Sequence, residues 1–92
     1  MDGAIVYADT SVASTDGEIS INHHTSSIHL LNLSSSTDAI VKLNGTHQVL
    51  IPHTPTQSGG IYTCVPGDYT KFEVLTSSVT ISVFAIGWLY KK

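Results

Sequence analysis

A chain of 92 residues with a formal charge of −3, 12% charged and 41% apolar side chains is expected to form one small domain. It buries roughly 60 to 65% of its unfolded surface and carries unusually little charge for a free soluble monomer. The four cations, Lys42, Lys71, Lys91 and Lys92, include no arginine, which argues against nucleic acid as a partner, and the single Cys64 excludes both an intrachain disulfide and a paired-cysteine zinc motif.

In chain order, Met1 to Tyr7 has neither a basic n-region nor a long apolar h-region, so no secretory signal is expected and the protein is expected to mature in a cytoplasm. Two sequons, Asn32-Leu33-Ser34 and Asn44-Gly45-Thr46, then read as chance matches in a Ser/Thr-rich chain. Ala4 to Ala8 reads as a short strand and Asp9 to Gly17 as a loop. Residues 1–17 are therefore expected to form an N-terminal arm or edge strand plus loop, and residues 18–92 a single β-sandwich domain. Glu18 to Asn22 alternates polar and apolar, as a half-buried strand does. His23 to Ser27 is expected to turn the chain. Ile28 to Leu33 follows, with Ile28 and Leu30 on one face and His29, Leu31 and Leu33 on the other, and Ser34 to Asp38 connects onward.

Asp38 to Pro52 carries the clearest hairpin signal, two apolar runs reversing at Asn44-Gly45, where positive φ is tolerated. A two-residue loop would place Val41 opposite Gln48 and waste the core. A three-residue loop through Thr46 sets Val41 against Val49 and Ala39 against Ile51, with Ile40 against Leu50 on the other face. Because a one-residue slip turns every side chain to the wrong side, the three-residue register is the expected one.

Pro52 to Gly60 reads as a surface loop, Ile61 to Val65 as a strand, and Pro66-Gly67 as the centre of a type II turn. Tyr69 to Leu75 alternates, with Phe72 and Val74 inward and Lys71 and Glu73 outward, the latter two expected to make a weak surface pair. Thr76 to Ser78 reverses the chain into the last strand, Val79 to Ile86. No helix is expected. The fold class is all-β, a small antiparallel sandwich of about seven or eight strands, jelly-roll-like or immunoglobulin-like.

The last strand changes character along its length. Val79, Ile81, Val83 and Ala85 make one apolar face, while the opposite face runs from Thr80 and Ser82 to Phe84, Ile86, Trp88 and Tyr90. Its first half is expected to be half-solvated and its second half covered on both sides, which in a small sheet implies a sandwich plus something outside it, such as another subunit. The apolar tract is far shorter than the roughly 20 residues a membrane-spanning helix needs, so no membrane is expected. Phe84, Ile86, Trp88 and Tyr90 are the expected protein interface, since aromatic side chains are enriched in such contacts.

Other candidates have plainer readings. His23, His24, His29, His47 and His53 show no spacing that enforces convergence on a metal, so none is expected to be a ligand. Cys64 has no neighbouring cation to activate it and reads as a buried structural thiol. No Gly-x-Ser-x-Gly elbow or other catalytic context organises the serines, so neither catalytic residues nor a cofactor are expected and the chain reads as non-enzymatic. Trp88, Tyr90 and Tyr69 would suit stacking on sugar rings, the alternative of a carbohydrate-binding module.

The runs Asp38 to Gly45, Val65 to Val74 and Val79 to Gly87, an Asn-Gly hairpin, a Pro-Gly-Asp turn and a closing Val/Ile strand, resemble those of small β-sandwich virion proteins of tailed bacteriophages. The likeness covers about residues 27–87. It implies a structural role in the virion, first as a capsid decoration or cement protein binding the major capsid protein and its own copies, a trimer being one such form. A tail, neck or fibre component is the second role it implies.

Overall fold

The computed structural model describes residues 4–53 and 62–88. Eight strands follow in order: β1 Ala4–Ala13, β2 Ile19–Ser20, β3 His24–Asn32, β4 Ala39–Leu43, β5 His47–Ile51, β6 Thr63–Pro66, β7 Lys71–Val74 and β8 Thr80–Trp88. They form two four-stranded antiparallel sheets, ordered β1-β8-β3-β6 and β2-β7-β4-β5. Every connection except the β4–β5 hairpin crosses between sheets. With the last strand inserted between the first and third, this order is that of a jelly roll, which decides between the two sandwich types expected. No α-helix occurs among the described residues, and a single 3-10 turn at Ser14–Asp16 joins β1 to β2.

The core lies between the sheets and follows from alternation. Ile28, Leu30, Ile81, Val83 and Ala85 enter from the first sheet, and Ala39, Val41, Leu43, Phe72 and Val74 from the second, all essentially inaccessible. Each of the larger ones contributes about 1.5 to 3 kcal/mol by its burial. Tyr7 stacks edge-on against Phe72 at 5.5 Å, and its burial, with Asp9 nearby, raises its pKa.

The central hairpin takes the three-residue register, with Ala39 opposite Ile51, Val41 opposite Val49 and Leu43 opposite His47. The tight reversal that Asn-Gly favours is also present. Asn44 and Gly45 have φ of 54° and 80°, and Thr46 N–H donates to Leu43 O at 3.2 Å. Thr46 is the extra residue that lets local turn chemistry and the buried face agree.

Four expectations are corrected. The first strand runs on through Asp9 to Ala13, because pairing with β8 and burial of Val12 outweigh the polar composition, and bulges absorb the mismatch. Within one bulge Asp9 Oδ1 accepts Ser11 N–H at 3.0 Å. His23 to Ser27 is not a turn, since β3 already begins at His24, opposite Trp88. Pro66-Gly67 is not a type II turn. Pro66 ends edge strand β6 opposite Ser27, where its missing N–H costs little. Gly67, at φ 138°, carries the chain across to the other sheet, and a Cβ there would lie 2.9 Å from the Tyr69 ring.

The fourth correction concerns β8. Its first half is not half-solvated, since Ser82 is buried; in the second half Phe84 and Ile86 are half-buried and Trp88 is exposed, so the single chain leaves that part of the outward face partly open. The cause of the Ser82 burial lies on the β6 side of the sheet, where the Tyr62 hydroxyl sits 2.7 Å from Ser82 Oγ. Gly87 is buried against β3, and a Cβ there would stand 2.7 Å from Thr25 Cα.

Candidate interaction surface

The residue pairing sets out the outer face of the β1-β8-β3-β6 sheet in rows. One row holds Ile5, Ile86, Ser27 and Pro66, and the next holds Ala8, Phe84, His29 and Cys64. Beyond them lie Ser82, Leu31 and Tyr62 at one end, and Trp88 beside His24 at the other. At its centre the His29 and Phe84 rings stack at 4.4 Å and 7°, and Tyr62 meets Phe84 edge-on at 5.0 Å. Ile5, Trp88 and Tyr62 are 62%, 39% and 37% exposed. Large apolar side chains contiguous on an outer face are the usual mark of a contact surface.

Of the four residues expected at an interface, Phe84, Ile86 and Trp88 therefore share one outer face, and none is enclosed in the core. Tyr90 lies outside the described residues. Ile5, His29, Tyr62 and Cys64 join that face although the pattern of the last strand could not point to them, because they arrive on β1, on β3 and on β6 with the residue before it. Tyr69 does not join it. It packs against the core, donates its hydroxyl to Pro66 O at 2.9 Å and stacks on His47.

Charge is distributed unevenly. The outer face of the second sheet carries Lys42 beside Glu73 at 3.6 Å, and Lys71 beside Glu18 at 3.8 Å. Lys71 and Glu73 thus pair with neighbouring strands and not with each other, as the expected pair would have required. By contrast, the outward rows of β8, β3 and β6 contain no Asp, Glu, Lys or Arg.

Cys64 is exposed, not buried, because β6 is an edge strand and position 64 points away from the core. Its Sγ lies 3.9 Å from His29 Nε2, which also meets Ser27 Oγ at 3.0 Å. Among the described residues no three of His, Cys, Asp and Glu gather to hold a metal ion. His24 and His53 instead pair with Asp68 and Asp38 at 2.8 and 2.6 Å. The Thr25 backbone N–H, aided by His24, lowers the Asp68 pKa, and the His53 backbone N–H and ring lower that of Asp38.

Both sequon asparagines have structural work. Asn32 is buried, donates to Thr37 O and Ile51 O, and accepts Ser34 N–H. Asn44 donates to Asp68 O and accepts Thr70 N–H, so the hairpin turn clamps the crossover into β7.

No family model, curated protein or solved structure matches this chain. The fold is shared by viral capsid and lectin domains alike, so the surface must carry the functional argument.

Proposed function

We propose that this chain is a non-enzymatic structural protein of a virion, a capsid decoration or cement protein that binds the shell and its own copies. The observation that carries this reading is the outer face bearing Ile5, Tyr62, Phe84, Ile86 and Trp88, whose charged groups, Asp9 on edge strand β1 and Asp68 against His24, stand at its margins, set against a second outer face crossed by two ion pairs. Burying such a face against a neighbour gains free energy without desolvating charges. The resemblance to tailed-phage virion proteins names the setting, with a tail, neck or fibre position as a variant of the same role.

Microscopy of purified particles tests it directly. Density for this chain on the shell, with the β1-β8-β3-β6 sheet turned towards a neighbour, is the expected result; its absence from particles overturns the proposal. Trp88→Ala should weaken incorporation about tenfold or more, as loss of an aromatic anchor does.

A second reading, a carbohydrate-binding module, is favoured by one feature. Trp88 stands in register with His24, and His24 meets Asp68, so an exposed indole has polar groups beside it. Glycan binding by the isolated chain that Trp88→Ala abolishes would support this second reading over the first.

A further inference from the structure

We infer that the outer face of the β1-β8-β3-β6 sheet is covered by a second copy of this chain, packed face to face about a twofold axis. This rests on the assembly reading above and commits it to one occupant.

The first argument is area. β8 is nine residues long, so at ~3.3 Å per residue and ~4.8 Å per strand the face measures about 30 by 19 Å, on the order of 570 Å² in projection. Side-chain relief makes the accessible area larger than the projection. The face is thus comparable with the roughly 800 Å² per partner of a standard specific interface.

The second argument is charge. A twofold contact brings a patch against its own copy, so any fixed charge near the axis meets a like charge. In a chain with formal charge −3, the outward rows of β8, β3 and β6 avoid Asp, Glu, Lys and Arg altogether. The second sheet also exposes apolar side chains, Ile40 opposite Leu50 with Leu75 beside Ile40, but there they share the outer face with Lys42, Glu73, Lys71 and Glu18.

At the centre of that face the His29 ring lies flat on Phe84 of β8, Cys64 of β6 and Ser27 of its own strand meet its Nε2, and Tyr62 packs edge-on against Phe84, so the middle of the contact is aromatic and without fixed charge.

Sedimentation velocity of the full chain over a concentration series is the test. Near neutral pH it should show a monomer–dimer equilibrium, with Ile5→Lys raising the dissociation constant about tenfold or more and Leu50→Lys on the opposite face leaving it unchanged. Both sites are exposed, 62% and 57%, so both variants should fold. A monomer at all concentrations, a trimer, or a dimer broken by Leu50→Lys and not by Ile5→Lys would overturn the inference. A monomer that still decorates particles would sink this inference alone; a dimer found in no particle would sink the virion reading alone.

Discussion

At the scale of single residues, the most consequential side chains are polar and glycine positions whose sequence context suggested something else. Asn32 looks like a sequon, yet it ties the end of β3 to Thr37 and Ile51 from inside the sandwich. Asn32→Ala should cost about 2 to 4 kcal/mol, because the buried Ile51 carbonyl loses its donor and a second bond, to Thr37 O, is lost with it, and urea unfolding measures it. Gly87→Ala should be as damaging, since the added methyl meets the backbone of His24 and Thr25. Asp68 gives a pH prediction. Its folded-state pKa lies below the unfolded value of about 3.9, so its contribution is present above about pH 4 and lost as the pH falls through the folded value. The difference in thermal midpoint between wild type and Asp68→Asn should therefore shrink as the pH is lowered below about 4. None of this was legible from composition, because a partner such as Thr25 lies 43 positions from Asp68.

Among the elements, the hairpin and β7 were read correctly because alternation alone fixes which side is buried. Val41, Val49, Phe72 and Val74 needed only a period of two. The readings failed where an element is defined by its partner. β1 continues through Asp9, Thr10 and Ser11 because β8 offers an edge to pair with, and Pro66 remains in β6 because Ser27 lies opposite. The hairpin turn has a role beyond reversal, since Asn44 holds Asp68 and Thr70. Asn44→Ala should cost about 2 to 3 kcal/mol, from two lost side-chain bonds and a residue less tolerant of positive φ. Deleting Thr46 should be worse, because it forces the slipped register; loss of the cooperative unfolding transition by circular dichroism is the expected outcome.

For the molecule as a whole, the jelly-roll order means that almost no strand pairs with its neighbour in sequence. The first strand pairs with the last, Ile5 with Ile86 and Ala13 with Thr80, and only β4–β5 is local. Closing such long loops before any contact rewards them is slow, so refolding followed by Trp88 fluorescence should take milliseconds to seconds. Removing residues 1–13 should leave β8 as a bare apolar edge and drive the chain to aggregate, visible by light scattering. The same topology gathers Ile5, His29, Cys64 and Phe84 from four strands onto one face.

Periodicity in the sequence determined the all-β class, the hairpin register and the inward sets of β7 and β8, since those depend on each strand's own alternation between core and water. Which strands lie side by side was decided only by the folded sheets, and with it the exposure of Cys64, the burial of Asn32 and Ser82, and the stack of His29 on Phe84. The physical reason is that a side chain's facing is a local property of the backbone, whereas its neighbours are set by pairings between segments up to the full length of the chain apart.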